Sequence, residues 1–201
     1  MNLYWPVDLR FVELGPPFMG HADKGNYRPN YGYHTGQDFL LRGQYRDEVN
    51  QGGLVVPIHC IFDGIVEYAE ARTTPGYGST IVMYHPFLGV RSRYAHLGSI
   101  TVNPGAQVPG GAQIGTLGNT GTDNYHLHFD ILHRRHEIPR FNPYNPTVGG
   151  VDPRNPHRNQ TEAILVLSHF QDPIRFMAHR PAIVPGANTA HRFPPANGPL
   201  A

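Results

Sequence analysis

The chain has 201 residues, with 16 Lys and Arg against 15 Asp and Glu, 23 Gly, 20 Pro, one Cys and 13 His. A formal net charge of +1 offers no broad basic field for nucleic acid; no apolar run approaches the ~20 residues that span a bilayer; and the lone Cys60 excludes an internal disulfide framework. Gly and Pro are abundant, and long runs of Ala, Leu, Glu and Lys are missing, which argues against a helical bundle and for short strands joined by turns.

Residues 1–30 read as an irregular lead-in punctuated by Pro16, Pro17, Gly20, Gly25 and Pro29, with one strand expected at 9–14. The N-terminus, MNLYWPVDLRFVELGPP, lacks the basic start, apolar stretch and small-residue cleavage site of a secretory signal. From residue 31 the texture changes. Short β-type segments recur at 38–42, 54–60, 64–69, 79–85, 91–96, 112–117 and 126–132, and their spacing predicts a mainly β, antiparallel core. The polar stretch 42–53, RGQYRDEVNQGG, reads as a loop. Past residue 152 an apolar stretch at 163–170 fits a strand or a short helix equally well, and a Pro-rich end follows. The expected division is thus lead-in 1–30, core domain 31–152 and an irregular C-terminal extension 153–201, the last a possible docking segment.

The histidines carry the chemistry. In Tyr125-His126-Leu127-His128-Phe129-Asp130-Ile131, strand alternation puts His126, His128 and Asp130 on one face and Leu127, Phe129 and Ile131 on the other. Two imidazoles so spaced can address one metal ion, although a strand facing solvent carries the same pattern. His34 and Asp38 lie four residues apart in a Gly-rich, aromatic setting, where a loop entering a strand can fold both onto one centre. Imidazole nitrogen and carboxylate oxygen suit zinc. His96 closes the segment Arg93-Tyr94-Ala95-His96-Leu97. A catalytic zinc site needs three protein ligands. His34, Asp38 and one of the two strand histidines supply them, leaving the other strand histidine and His96 to handle protons. The chain has no HExxH, so the helical zinc-protease arrangement is excluded.

Taken together, HTGQDF, VPIHCIFDGIVEYAE, GYGSTIVMYHP, RYAHL, VNPGAQVPGGAQIGTLGNTG and YHLHFDI resemble the lysostaphin-like zinc endopeptidases that hydrolyse peptidoglycan peptides. The resemblance runs from residue 34 to about residue 152, with HxxxD, YAHL and HLHF as its specific motifs. It implies a compact antiparallel β-sheet core with long loops and one Zn2+ per chain. His34, Asp38 and His128 match the metal ligands, and His96 and His126 match the two other histidines beside the attacking water. The family's carbonyl-holding tyrosine has three candidates here, Tyr27, Tyr31 and Tyr33. Asp130 is a candidate to orient a neighbouring imidazole. Glycines 105, 110, 111, 115, 118 and 121 read as tight turns, Cys60 as a buried thiol, and the 42–53 loop as part of a groove wall.

The resemblance implies peptidoglycan as substrate. With no export signal read in the chain, a bacteriophage origin is expected: a released lysin, or a virion tail component docked on other tail proteins through residues 153–201, made in the bacterial cytoplasm. The alternative is a zinc-binding structural or scaffold module that has kept the fold without catalysis.

Overall fold

One strand, His126–His133, is buried on both faces, with apolar side chains on one and polar side chains on the other. The computed structural model describes residues 3–19, 34–74, 76–133, 167, 169–178 and 182–183. In chain order its strands are β1 (Leu3–Tyr4), β2 (Val12–Leu14), β3 (Gln37–Leu41), β4 (Pro57–His59), β5 (Gly64–Glu70), β6 (Thr80–His85) and β7 (Val90–Ala95). They continue as β8 (Leu97–Ile100), β9 (Gln107–Val108), β10 (Gln113–Leu117), β11 (His126–His133), β12 (Phe170–Gln171) and β13 (Ala182–Ile183). Among the described residues the helices are short: a 3-10 turn at Gly43–Tyr45, α1 (Arg46–Asn50) and α2 (Pro173–Ala178). No helix there is long and apolar enough to cross a membrane.

The larger sheet has the order β2-β3-β11-β7-β6-β5-β9 and is antiparallel at each pairing; β12 pairs with β11 beyond the end of β3. A second antiparallel sheet has the order β4-β10-β8, and β1 pairs with β13 in parallel. Leu127, Phe129 and Ile131 of β11 are fully buried, together with Phe39, Tyr94, Ile81 and Met83. Ile58, Leu97 and Ile114 of the second sheet join the same core, as do Leu3, Trp5 and Val7 of the N-terminal segment and Phe176 and Met177 of α2. Burial of each such side chain contributes about 1.5–3 kcal/mol, and this face of β11 anchors the strand that carries the histidines on its other face.

The mainly β antiparallel architecture is as expected, but several details differ. Residues 42–53 are not a plain loop. They fold into the 3-10 turn and α1, where Arg46 and Glu48 favour helix, Asp47 and Glu48 sit at its positive end, and Gly52 (φ 74°) ends it. The strand expected at 54–60 shrinks to Pro57–His59, and Leu97–Ile100 and Gln107–Val108 are strands that their Gly- and Pro-bordered sequence concealed. Gly115 is not in a turn either: it lies in β10, where a Cβ would strike the carbonyl of Ser99 on β8. Of the apolar stretch 163–170, Phe170 enters β12 and most of the rest lies outside the described residues. Cys60 is buried as expected; its Sγ donates to the Phe62 carbonyl at 2.9 Å, and burial pushes the thiol up to about 12.

Two predictions follow from the packing. Phe129→Ala should destabilise the fold by about 3–5 kcal/mol in chemical denaturation, because the ring fills the core between Phe39 and Tyr94. The second concerns His85, which is fully buried, with Nε2 at 2.7 Å from Ser92 Oγ and Nδ1 at 3.2 Å from the Asp63 carbonyl. Burial pushes this imidazole down from 6.5 to about 4. In that interval the unfolded chain binds a proton that the fold refuses, so this contribution to stability is complete above pH 6.5 and is lost as the pH falls toward 4. In chelator-containing buffer, His85→Gln should therefore show a shallower fall of melting temperature over that range than the parent chain.

Candidate metal centre

The register between β3 and β11 sets Asp38 directly opposite His128. By alternation both side chains stand on the face away from Phe39 and Phe129. His128 Nδ1 lies 2.9 Å from Asp38 Oδ1. His34, from the turn ahead of β3, brings Nε2 to 3.1 Å from the same oxygen and 3.0 Å from His128 Nδ1. Donors held by a tetrahedral zinc at ~2.0–2.1 Å stand roughly 3.3 Å from one another, so two nitrogens and one oxygen already lie near coordination spacing. Among the described residues this is the one group of His, Cys, Asp and Glu side chains placed to hold a metal.

The N-terminal segment holds the turn in place. His34 Nδ1 donates to the Pro17 carbonyl at 3.0 Å. The backbone amide of Met19 donates to the His34 carbonyl at 2.8 Å, that of Asp38 to Pro16 at 3.1 Å, and that of Gly15 to Asp38 at 2.9 Å. The lead-in therefore supports the site as well as the core.

Hydrogen bonds behind the rings set their tautomers. His34 spends Nδ1–H on Pro17, so Nε2 is the nitrogen turned toward Asp38 and His128. His128 is turned the other way: Nε2–H donates to Asp130 Oδ1 at 3.1 Å, and Nδ1 is the nitrogen at the centre. His96 Nδ1 donates to the Thr120 carbonyl at 2.9 Å and His126 Nδ1 to the Asn124 carbonyl at 2.9 Å. Each of these two rings keeps its lone pair on Nε2, and His126 Nε2 stands 3.9 Å from Asp38 Oδ2.

His96 arrives by an unusual backbone. Strict alternation would put residue 96 on the core face with Tyr94. Its φ of 62° lies in the left-handed region, which breaks the alternation between β7 and β8. The ring then lies 4.4 Å, centroid to centroid, from that of His126. The amide of His96 donates to the Tyr77 carbonyl at 2.9 Å and holds this conformation.

The charge states follow from these contacts. Burial alone would raise the Asp38 carboxyl, but the hydrogen bonds from His128 and His34 hold it well below its ordinary 3.8. Burial would lower His128, yet Asp130 and Asp38 outweigh it and raise the ring to about 9; two carboxylates thus draw positive charge to this point, a field that also favours a divalent cation. Burial pushes His96 down to about 3, with His126 and His128 adding to the effect. His126 is lowered by burial against the pull of Asp38. Both rings are neutral near pH 7 and can accept a proton at Nε2.

The structure therefore brings together all five side chains singled out as ligands and proton carriers, with Asp130 directly behind His128. Tyr27, Tyr31 and Tyr33 lie outside the described residues. Sequence reasoning passed over Thr35, Tyr77 and Arg93, which line the buried side of His128. Thr35 Oγ1 is 3.4 Å from His128 Nε2, and the Tyr77 ring lies 5.1 Å from the His128 ring. A usable signal was present: alternation puts Arg93 on the same face as Ala95, which pairs with His128.

The model of peptidase family M23 matches residues 33–143, a span that contains all five side chains. The chain belongs to peptidase family M23. This M23 chain is 38% identical over 80 residues to a lipoprotein NlpD/LppB homolog of Pseudomonas aeruginosa, a match covering 40% of the chain and 26% of that protein. It is 38% identical over 74 residues to the murein hydrolase activator NlpD of Escherichia coli K12, covering 36% and 18%. The chain thus spans only a minor part of the length of these curated relatives. Among solved structures, a zinc-containing peptidase from Vibrio cholerae is similar with TM-score 0.50 and 25% identity over 67% of this chain and 37% of that one. The lysostaphin catalytic domain from Staphylococcus simulans shares the fold, with TM-score 0.52 and 22% identity over 84% of this chain and 94% of that one.

The left-handed backbone at residue 96 makes a prediction that separates strain from chemistry. An L-residue costs about 1–2 kcal/mol in this region and glycine does not. His96→Gly should therefore be more stable than His96→Ala by about 1 kcal/mol in urea unfolding. Equal stabilities would mean that the backbone there is unstrained.

Proposed function

We propose that the chain is a zinc-dependent endopeptidase that hydrolyses peptide bonds in bacterial peptidoglycan, with one zinc ion held by His34, Asp38 and His128. The observation that carries this reading is the pairing of a three-donor set with two neutral imidazoles beside it. Structural zinc sites close with four protein ligands, often Cys, whereas catalytic ones use three. Here Cys60 is committed to the core and to the Phe62 carbonyl. The donor chemistry fits zinc, since both imidazoles have their second nitrogen tied to an acceptor and the carboxylate is held ionised.

Zinc would supply a Lewis acid that polarises a carbonyl and brings the pKa of water toward neutrality. The chain's own residues supply the rest. One of His96 and His126 accepts the proton of the attacking water at Nε2, and the backbone carbonyls of Thr120 and Asn124 hold the rings in the accepting tautomer. The proton taken up in this way then passes to the leaving amine. The substrate class is supported by the relatives, among them a murein hydrolase activator, and by the fold shared with an antimicrobial peptidase.

The word "activator" in that relative's name favours a second reading, a module that stimulates a cell-wall hydrolase without cutting. Such a module has no need of proton carriers. This chain keeps His96 and His126 beside the ligands, both neutral and correctly tautomerised, which supports catalysis.

The test is residue by residue. Asp38→Ala and His128→Ala should lose bound zinc, measured by metal analysis, together with activity. His96→Ala and His126→Ala should retain zinc and lose turnover by about 100-fold or more, followed by mass analysis of peptides released from defined peptidoglycan with and without a chelator. A His96→Ala protein that digests purified walls at the parental rate would refute the proton-transfer assignment. Zinc bound with no peptides released by the parental chain would favour the non-cutting module.

A further inference from the structure

Behind the metal centre lies a charged group with no part in proton transfer. Arg93 on β7 and Asp130 on β11 sit opposite each other in the sheet and are almost completely buried, at 1% and 0% exposure. Both Nε and Nη2 of Arg93 donate to Asp130 Oδ2. The other oxygen, Oδ1, accepts from His128 Nε2 at 3.1 Å. The two carboxylate oxygens thus have separate duties, one gripped by the guanidinium and one turned to the ring.

The guanidinium is itself held by further contacts. Nη2 also donates to Tyr77 Oη at 2.7 Å and to Thr35 Oγ1 at 3.2 Å. Its carbon lies 3.8 Å from the centre of the Tyr77 ring and 5.7 Å from that of Phe170. Phe170 belongs to β12, so a strand from the C-terminal part of the chain also packs near this arginine. Tyr77 also reaches both kinds of histidine: its ring lies tilted against that of His128 and its carbonyl accepts from the His96 amide.

We propose that Arg93, packed by Tyr77 and Phe170, is a positioning residue for the metal centre: it sets the rotation of the Asp130 carboxylate, which in turn holds His128 with Nδ1 toward the ion. A carboxylate with one oxygen anchored by two charge-assisted bonds cannot swing, so the ring it holds cannot rotate or switch tautomer. Lysine keeps the charge but offers no planar fork, and so cannot replace arginine here. This inference rests on the zinc-site reading given above.

The experiment is zinc affinity, measured by competition with a chromophoric chelator, together with the visible absorption spectrum of the cobalt(II)-loaded protein. The full chain is compared with Arg93→Gln, Arg93→Lys and Phe170→Ala. Arg93→Gln and Arg93→Lys should each weaken zinc binding about 10–100-fold and alter the cobalt spectrum, and Phe170→Ala should act in the same direction more weakly. Because Arg93→Gln leaves a buried carboxylate without its cation, the double variant Arg93→Gln/Asp130→Asn is included as a neutral pair; it should fold and show the same loss. Folded variants, judged by far-UV circular dichroism, that bind zinc with parental affinity and give the parental cobalt spectrum would overturn the positioning role. A parental chain that takes up no zinc would instead overturn the metal-site reading itself.

Discussion

Across the sheet, His128 faces Asp38 on one neighbour and Ala95 on the other, and this register is what makes a metal centre possible. A slip of one residue would turn the donor side chains to the opposite face and bring Leu127, Phe129 or Phe39 in their place. The slip is resisted by the hydrophobic effect, since Phe39, Leu127, Phe129 and Ile131 are all fully buried on the other face. Chemistry on one side of β11 is therefore held by packing on the other. The donors need no strong bond among themselves to stay within 2.9–3.1 Å of one another.

Gathering Asp38, His128, Asp130 and Arg93 inside a protein is costly unless each polar atom is satisfied. The fold meets this with a layered arrangement. Backbone carbonyls of Pro17, Thr120 and Asn124 take the outward N–H of His34, His96 and His126. Asp130 takes that of His128, and Arg93 balances Asp130. The same bonds that satisfy buried groups decide which nitrogen of each ring faces the centre, so stability and ring orientation are one problem here.

Much of this was legible beforehand. The two faces of residues 126–132 follow from period two alone, and the ligand set His34, Asp38 and His128 came from the family resemblance and meets in space. The helix at Arg46–Asn50 was missed because only five residues long, with one partly buried apolar residue, it shows no amphipathic period. Leu97–Ile100 was missed because only His96 separates it from β7 and Gly98 interrupts its strand pattern. Arg93 was passed over because an isolated arginine in a strand reads as exposed; its partner is 37 residues away.

The amino-acid sequence alone determined the donor types, the face they share on β11 and the short-stranded β character, because these depend on local alternation and composition. Only the tertiary structure decided how His96 reaches the site, since a φ of 62° at one residue overrides the alternation that sequence reasoning must assume. It also decided that the N-terminal residues 15–19 hold His34 and that Phe170 packs near Arg93. Contacts between segments so far apart along the chain are set by the closure of the whole fold, and no local pattern of residues encodes them.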